Sequence, residues 1–337
     1  MTSSLVIQTS FLGDTVLTTP LIAELAKRGP VDVVTTPLSA NLLQNHPGIR
    51  SLIPYDKRGK DSGVLGFLRM TRLLRRFGYD SAYLAQGSVR SGALALASGA
   101  DRRVGFASHA GRRFYNVRVE YNEDHHHALR LLALAQPNPL PPISAVRPRL
   151  YPGIPERGAV DRFLALHDTL EDEPLVAVAP ASVWGTKRWP YYAELARELA
   201  ATCRLVVVGS PADKPLAGEV VAAAPDGRVL DATGVFSLLG SAELIRRCHI
   251  LVTNDSAPQH LASAVDTPTI TIFGPTVPTF GFGPLAHHSL TVGHEELACR
   301  PCDSHGPKKC PLGHWRCMRE ITPRDVAARV TDILVEL

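Results

Sequence analysis

A carboxylate occupies the turn that follows the first apolar run of the chain. Asp14 comes directly after Gly13, and the residues around it predict a strand that ends and a helix that begins near residues 10–15. In open α/β sheets, ligands bind at the carboxyl ends of the strands, so Asp14 is placed to accept a proton from a substrate. The alternative is that Asp14 only caps the helix, because aspartate is a common N-cap residue.

A second strand-to-helix loop, residues 179–190, combines hydroxyl groups, a glycine and a lysine. Ser182, Gly185 and Lys187 precede Pro190, which suits the first turn of a helix. Free backbone N–H groups at a helix start, together with a lysine, form a cradle for an anion such as phosphate. The spacing is not that of a Walker A loop. The alternative is an exposed basic loop.

Two further loops follow apolar runs in the second half. Asp255 and Ser256 stand before a predicted helix, and His260 lies on the same helical face as Ser256. The N–H groups of that first turn can hold a diphosphate, or the two residues can simply cap the helix. The loop that begins at Gly274 and includes Thr276 can bring backbone amides against a ligand or merely connect two elements.

Four cysteines are grouped near the end of the sequence. They are Cys299, Cys302, Cys310 and Cys317. This set offers enough ligands for a tetrahedral structural zinc ion, although six residues, rather than two to four, separate the second pair. Disulfides are rare in a reducing cytosol, so the alternatives are reduced thiols or a redox feature.

Apolar runs alternate with amphipathic stretches, which is the pattern of βα units that form parallel sheets. The apolar runs predict strands at residues 5–9, 31–35, 51–54, 82–85, 175–179, 205–208, 229–230, 250–253 and 269–273. The amphipathic stretches predict helices at residues 15–27, 40–46, 125–135, 191–200, 216–224, 237–247, 258–264 and 323–337. The candidate residues therefore lie where predicted strands end.

Prolines divide the chain into two parts. Seven of them lie within residues 136–157, a stretch that favours extended, stiff chain and cannot continue a helix or a central strand. At roughly 150 residues a domain, the length suits two domains. We predict an N-terminal domain over residues 1–150 and a C-terminal domain over residues 151–337. In one arrangement, the final helix packs back on the N-terminal domain.

Positive charge is concentrated in the first half. Residues 1–150 carry 19 Lys and Arg against 10 Asp and Glu, a balance of +9, whereas residues 151–337 carry 17 against 22, a balance of −5. Arg69, Arg72 and Arg76 share one face of a predicted helix. A basic half suits an acidic partner such as phosphorylated lipid or nucleic acid, or it is solvated surface. Nucleic acid is disfavoured because no recognised binding module is present.

The composition, with 45% hydrophobic and 20% charged residues, is that of an ordinary folded protein. No apolar run approaches the roughly 18 residues needed to span a bilayer. The first apolar run is too short for the core of a signal peptide. We therefore expect a cytoplasmic protein, with peripheral association on the cytoplasmic face of the inner membrane still open to it.

In their order along the chain, these motifs resemble the ADP-heptose:lipopolysaccharide heptosyltransferases, a family of inverting glycosyltransferases with the GT-B fold. The resemblance runs from the Asp14 turn through residues 187–190, 254–256 and 274–276 to the cysteine segment. It implies an α/β fold of two Rossmann-like, doubly wound domains that face a central cleft. It also implies an ADP-L-glycero-D-manno-heptose donor held by the second domain and a lipopolysaccharide inner-core acceptor, a glycolipid, held by the first.

The resemblance also implies roles for individual residues. By matching position, Asp14 would be the general base, and Lys187 would act with it in catalysis by neutralising donor phosphate. The expected donor-binding residues are Ser182, Lys187, Asp255, Ser256, Ala257, His260 and Thr276. His126 and Arg130, at i and i+4 of a predicted helix, match acceptor-side positions.

Two positions depart from the family's pattern. Ala257 stands where glycine is usual, which adds a methyl group where backbone approaches phosphate. Gln8 stands where lysine or arginine is common, which removes a charge that could meet an acidic acceptor.

The expected reaction is a single displacement with inversion, in which Asp14 removes the acceptor hydroxyl proton. Lys187 and the helix start after Asp255 would stabilise the departing ADP. Because no Asp-x-Asp motif ends a strand, we expect fixed positive charge to take the place of a metal ion, with no cofactor required for catalysis.

Two other classes fit part of the pattern. One is another GT-B enzyme that uses a different nucleotide sugar, such as a UDP-sugar transferase or a sugar-nucleotide epimerase. The other is a nucleotide-binding regulatory or scaffold protein without turnover. The presence of both Asp14 and Lys187 argues against the second class.

Overall fold

The structure is a computed structural model that describes residues 2–169 and 173–337. The chain divides into two units, unit 1 (Met1–Tyr151) and unit 2 (Pro152–Leu337). Each unit contains one six-stranded parallel sheet with helices connecting its strands. The predicted α/β class with two Rossmann-like domains is confirmed.

Unit 1 is built on a sheet whose central strands are completely buried. Its strands are β1 (Ser4–Gln8), β2 (Val31–Thr35), β3 (Ser51–Pro54), β4 (Ser81–Leu84), β5 (Arg102–Phe106) and β6 (Val117–Val119). They lie in the order β3-β2-β1-β4-β5-β6, and all pairs are parallel. Consecutive apolar residues in β1 follow from this arrangement, because helices cover a parallel sheet on both faces. The strand order reverses between β1 and β4, which makes a topological switch point.

The predicted helix over residues 15–27 is two helices in the structure. The helices of unit 1 are α1 (Leu12–Leu17), α2 (Thr19–Ala26), α3 (Pro37–Leu42), α4 (Gly63–Arg75), α5 (Val89–Ala97) and α6 (His127–Ala133). Pro20 has no N–H to donate to the carbonyl of Val16, and the Thr19 hydroxyl donates to that carbonyl instead at 2.8 Å. The Thr18 hydroxyl likewise donates to the carbonyl of Asp14 at 2.7 Å. These local bonds accompany the break between α1 and α2 at Thr18.

Unit 2 repeats the same topology. Its strands are β7 (Leu175–Ala179), β8 (Arg204–Val207), β9 (Val229–Asp231), β10 (Ile250–Asn254), β11 (Thr269–Phe273) and β12 (Leu290–Gly293). They lie in the order β12-β11-β10-β7-β8-β9, again all parallel. The order reverses between β7 and β10, so the switch point of this sheet lies at their carboxyl ends.

The first helix of unit 2 begins inside the proline-rich segment. The helices of unit 2 are α7 (Ile154–Leu166), α8 (Tyr192–Leu199), α9 (Lys214–Ala222), α10 (Leu238–Arg247), α11 (Ala257–Val265), α12 (Arg316–Arg319) and α13 (Pro323–Glu336). The expectation of extended chain up to residue 157 is therefore wrong. Pro155 lies in the first turn of α7, where a missing N–H costs nothing, and the Glu156 carboxylate accepts a hydrogen bond from Gly153 N at 2.8 Å.

The final helix packs within unit 2. One core cluster contains three residues of α13, namely Val326, Val330 and Ile333. The same cluster contains Leu195 of α8 and Trp189, which precedes α8. Among the described residues, no helix is both long enough and apolar enough to cross a lipid bilayer.

Candidate active site

Asp14 lies beside the switch point of the unit 1 sheet. It is the third residue of α1, directly after β1, and its side chain is 23% exposed. The Ser10 hydroxyl lies 2.7 Å from Asp14 Oδ2 and the same distance from Gln8 Oε1. The N-cap position is taken by Phe11, so the alternative that Asp14 is the capping residue is wrong. A carboxylate in the first turn still gains from the helix dipole.

His127 is a neighbour of Asp14 that the sequence analysis missed. Its Nε2 lies 4.0 Å from Asp14 Oδ1, and its side chain is 12% exposed. Burial, followed by the nearby Arg130 and His126, lowers the pKa of His127 to about 3, so the imidazole is neutral at physiological pH. The run of three histidines at residues 125–127, at the start of the helix predicted over residues 125–135, is the signal that could have indicated this residue.

The two predicted acceptor-side residues make contacts inside unit 1. His126 is the N-cap of α6, and its Nδ1 accepts a hydrogen bond from Ala128 N at 3.2 Å. Arg130 is 4% exposed; it donates to the carbonyl of Asn122 at 2.9 Å and to the Tyr121 hydroxyl at 2.8 Å. Its guanidinium also lies over the Tyr121 ring. Both acceptor-side roles stay predictions.

Gln8, where the family pattern has a basic residue, is a buried support for the Asp14 turn. It is 1% exposed, and its Nε2 donates to the Thr18 hydroxyl at 3.1 Å. Its Oε1 accepts from Ser10 N at 3.2 Å. A buried cation here would need a new partner, whereas the amide satisfies donor and acceptor together.

The candidate donor site of unit 2 is organised around one buried carboxylate. Asp255 Oδ2 accepts hydrogen bonds from Lys187 Nζ at 2.6 Å and from the Thr276 hydroxyl at 2.7 Å. Asp255 Oδ1 accepts from Gln259 Nε2 at 3.0 Å. Lys187, Asp255 and Thr276 follow β7, β10 and β11, which are adjacent strands, so the sheet order itself brings the three loops together. We call these four residues the Asp255 cluster.

Burial makes the charges of the Asp255 cluster interdependent. The side chains of Lys187 and Asp255 are each 10% exposed. Removing one partner of a buried ion pair leaves the other charge without compensation, which typically costs about 3–5 kcal/mol. The alternative that Lys187 belongs to an exposed basic loop is therefore wrong. One of its three N–H donors is directed at Asp255, and the ammonium can offer others to an anion.

Asn254 fixes the loop that carries Lys187. It is fully buried, and its Oδ1 accepts from Trp189 N at 3.0 Å while its Nδ2 donates to the carbonyl of Pro180 at 2.9 Å. Ser182, in the same loop, accepts a hydrogen bond from Trp184 N at 3.3 Å through its hydroxyl. Asn254 thus positions the backbone of the loop in the candidate donor site, a role that the sequence motif alone did not indicate.

Three more predicted donor-site residues surround the start of α11. Ser256 is the N-cap, and its hydroxyl donates to the carbonyl of Asn254 at 3.3 Å instead of accepting from an N–H group of the helix. Ala257 is the first helical residue and is half-buried, and His260, 5% exposed, lies on the next turn. Pro258 has no N–H, and Gln259 N donates to the carbonyl of Ser256 at 3.3 Å, so it is chiefly the dipole of this nine-residue helix that favours an anion at this end.

The structure does not support the predicted zinc site. Within residues 2–169 and 173–337, no group of three or more His, Cys, Asp or Glu side chains could hold a metal ion. Cys317 is buried in the hydrophobic core, and burial raises the pKa of its thiol to about 11. The Cys302 thiol donates to the carbonyl of Cys299 at 3.2 Å.

The cysteine segment instead supports the Asp255 cluster. Arg300 donates to the carbonyls of Thr276 at 2.9 Å and Phe273 at 3.0 Å. Gly306 has a φ of +81°, and a Cβ built on it would lie 3.3 Å from Lys187 Cε. A Cβ on Gly185 would lie 2.7 Å from the carbonyl oxygen of Lys308. Two of the three loops that meet at Asp255 are therefore packed against this segment.

Comparison with known proteins connects this geometry to a family. The family model of glycosyltransferase family 9 (heptosyltransferase) matches residues 67–315. Lipopolysaccharide heptosyltransferase 2 of Salmonella typhimurium is 26% identical over 351 residues that cover 98% of both proteins. Lipopolysaccharide heptosyltransferase 1 of Pseudomonas aeruginosa is 28% identical, over 88% of this chain and 85% of that protein.

A solved structure extends the similarity to three dimensions. The structure of the E. coli ADP-heptose lipopolysaccharide heptosyltransferase II matches with a TM-score of 0.79 and 26% identity, and the match covers 100% of this chain and 99% of that one. This full-length match confirms the predicted GT-B fold class. It also agrees with the family model over the residues that carry the Asp255 cluster. The chain therefore belongs to glycosyltransferase family 9, the heptosyltransferase family, and is a glycosyltransferase.

Proposed function

We propose that this glycosyltransferase transfers heptose from ADP-L-glycero-D-manno-heptose to the inner core of lipopolysaccharide, with inversion at the anomeric carbon. Support comes from relatives that are named lipopolysaccharide heptosyltransferases and align over nearly the whole chain. The solved structure with a TM-score of 0.79 is described as an ADP-heptose heptosyltransferase. Relatives of both the heptosyltransferase 1 and the heptosyltransferase 2 type match, so the proposal covers the inner core without choosing the heptose position.

The observation that carries the proposal is the Asp255 cluster beside the start of α11. A nucleotide diphosphate leaving group needs positive charge that is fixed before the reaction begins. Asp255 holds Lys187 in one position, and α11 begins two residues after Asp255, at Ala257. Lys187 and this helix end are therefore the groups that would stabilise ADP as it leaves. Ser182, Ser256, Ala257, His260 and Thr276 complete the proposed donor site.

Asp14 is the proposed general base. Its carboxylate is partly exposed and is held by Ser10, so it can receive a proton from an acceptor that binds beside it. In an inverting displacement, the acceptor hydroxyl loses its proton to Asp14 as its oxygen attacks the anomeric carbon and the bond to ADP breaks. The neutral state of His127 matters here, because a protonated imidazole at this position would stabilise the carboxylate and make it a weaker base.

The acceptor is an amphiphile, so the proposal includes peripheral association with the cytoplasmic face of the inner membrane. No metal or other cofactor has a role in the proposed mechanism. Fixed charge from Lys187 performs the task that Mg²⁺ performs in metal-dependent transferases.

The deciding experiment combines nucleotide binding with transfer. Calorimetry should give a Kd for ADP at least about tenfold lower than that for UDP, which is a difference of about 1.4 kcal/mol. With ADP-heptose and a heptose-deficient lipopolysaccharide acceptor, transfer should continue in EDTA, and NMR should give a product of inverted anomeric configuration. A preference for UDP would assign a different nucleotide sugar, and ADP binding without transfer would indicate a nucleotide-binding protein without turnover.

A further inference from the structure

Helix α4 presents an apolar patch to solvent in the first half of its outer face. Met70 and Leu74 on its inner face are buried in the unit 1 core, and Gly66 on the same face is also buried. Leu65 on the opposite side is 83% exposed, and its neighbours on that side, Val64 and Leu68, are 72% and 41% exposed. The solvent face of a surface helix is normally polar, and adjacent exposed apolar residues mark an interaction surface.

The second half of the same face is basic. Residues 62–79 contain four arginines and no aspartate or glutamate. Arg69 is paired with the buried Asp61, and Arg75 donates to the carbonyl of Ala97. Arg72 and Arg76 are exposed and continue the direction of Leu65 and Leu68 along the helix. We call Val64, Leu65, Leu68, Arg72 and Arg76 the α4 surface.

The residue types of the α4 surface indicate what kind of partner it contacts. Exposed valine and leucine followed by exposed arginines on one helix face suit the interface of an anionic bilayer, which offers apolar contacts and lipid phosphates together. The apolar side chains enter the headgroup layer while the guanidinium groups contact lipid phosphates. A second copy of the chain fits less well, because its own Arg72 and Arg76 would meet the same positive charges.

We propose that the α4 surface docks this protein on an anionic lipid bilayer. Val64, Leu65 and Leu68 insert between headgroups, and Arg72 and Arg76 bind lipid phosphates. The docking needs no sugar acceptor and no turnover, so it is independent of the proposed heptosyl transfer. The sequence analysis predicted a basic helix face with three arginines. In the proposed docking surface, apolar residues accompany two of these arginines, whereas the third, Arg69, pairs with Asp61.

The test is vesicle flotation of the full chain with phosphatidylglycerol vesicles and with phosphatidylcholine vesicles. The wild-type protein should float with phosphatidylglycerol only. The Leu65→Ser/Leu68→Ser variant should lose at least about tenfold in partition coefficient, because the side chains removed would otherwise leave water. The matched control, Leu166→Ser on α7, changes a leucine that is 79% exposed outside the α4 surface and should partition as the wild type does.

The arginines are tested separately. Arg72→Gln/Arg76→Gln should abolish the preference for phosphatidylglycerol and flatten the salt dependence, because exposed charges are screened within about 10 Å at 0.1 M salt. Arg324→Gln/Arg329→Gln on α13 is the matched control and should retain both. All four variants change exposed side chains and should melt as the wild type does.

Three results would overturn the proposal. One is wild-type protein that fails to float with phosphatidylglycerol, and another is a leucine variant that floats as the wild type does. The third is a dimer, measured by sedimentation velocity, that disappears in the leucine variant while no protein binds vesicles. Transfer to a water-soluble truncated acceptor is measured in parallel and should be equal in all variants, so failure of docking and failure of the proposed reaction are distinguished.

Discussion

Asp14 contributes to folding stability and is the proposed general base, and a single substitution can separate these two properties. The carboxylate accepts a hydrogen bond from Ser10 and sits in the first turn of α1, so it contributes to stability as well as to the proposed proton transfer. Asp14→Asn keeps an oxygen for Ser10 but is a much weaker base. We expect turnover to fall roughly 10²–10⁴-fold. The loss of stability should be no more than about 1 kcal/mol, the usual range for a charge at a helix end.

The transfer rate, the ADP affinity and the melting temperature should be measured on the same preparation of the Asp14→Asn variant. ADP affinity should be unchanged, because the proposed donor site belongs to unit 2. Asp124→Asn, at an exposed position in the same unit, is the control. Near-wild-type transfer by a folded Asp14→Asn variant would remove Asp14 from the mechanism.

Lys187 pairs with Asp255 in the structure and has a proposed catalytic role at the donor phosphate. Lys187→Ala should lower stability by about 3–5 kcal/mol, because Asp255 is left buried without its counter-ion. It should also weaken ADP binding. In the Asp255→Asn background the same change should cost much less stability, yet ADP binding should stay weak if the ammonium meets phosphate.

Calorimetry and thermal melting of the two single variants and the double variant separate these roles. The control is Lys309→Ala, at an exposed lysine of the same unit. If ADP binding recovers together with stability in the double variant, Lys187 serves the fold alone.

The residues with recognisable motifs could be predicted from sequence, and their partners could not. Asp14, Lys187 and Asp255 stand at strand ends that the apolar runs define. Their contacts join positions far apart in the chain, such as Lys187 with Asp255 and Asp14 with His127, and no local pattern encodes such pairs. The roles of Gln8, Asn254 and His127 became visible only once those segments were brought together.

At the scale of elements, the nine predicted strands are all present in the structure because buried parallel strands leave long apolar runs in sequence. The sequence did not predict β5, β6 and β12. β6 and β12 are edge strands without a buried residue, and β5 begins with two arginines. Turn chemistry accounts for the other differences. Threonine hydroxyls and Pro20 divide α1 from α2, and Pro155 begins a helix rather than preventing one.

The support that the cysteine segment gives to β11 predicts an effect at a distance. Arg300→Ala should destabilise unit 2 by about 1–3 kcal/mol, because the carbonyls of Phe273 and Thr276 lose a half-buried charged donor. It should also raise the KM for the donor, since Thr276 holds Asp255. Steady-state kinetics and thermal melting test both effects, with Arg324→Ala on α13 as the control. Lower stability with an unchanged donor KM would show that Arg300 contributes to folding stability and not to donor binding.

At the scale of the whole molecule, buried neutral histidines should limit stability in acid. Burial lowers the pKa of His46 to about 4 and that of His127 to about 3. The unfolded chain binds protons at these residues near its usual pKa of about 6.5, and the folded chain does not. Stability is therefore lost as the pH falls below about 6.5, by about 2 kcal/mol per histidine at pH 5.

Thermal melting at pH 7.5, 6.0 and 5.0 measures this loss. His127→Gln should reduce the fall in stability between pH 7.5 and 5.0, whereas His288→Gln, at an exposed histidine, should leave it unchanged. Equal pH dependence in wild-type and His127→Gln proteins would contradict the assignment.

The Asp255 cluster has a consequence for how this protein tolerates variation. Lys187, Gln259 and Thr276 come from three separate stretches of sequence, yet all three donate to the same carboxylate. Once one donor is lost and the carboxylate has shifted, the loss of a second removes a contact that is already weakened. A mutational survey should therefore find these positions in one epistatic group, with double variants less damaged than the sum of the single ones. Homologous sequences should change them together or not at all.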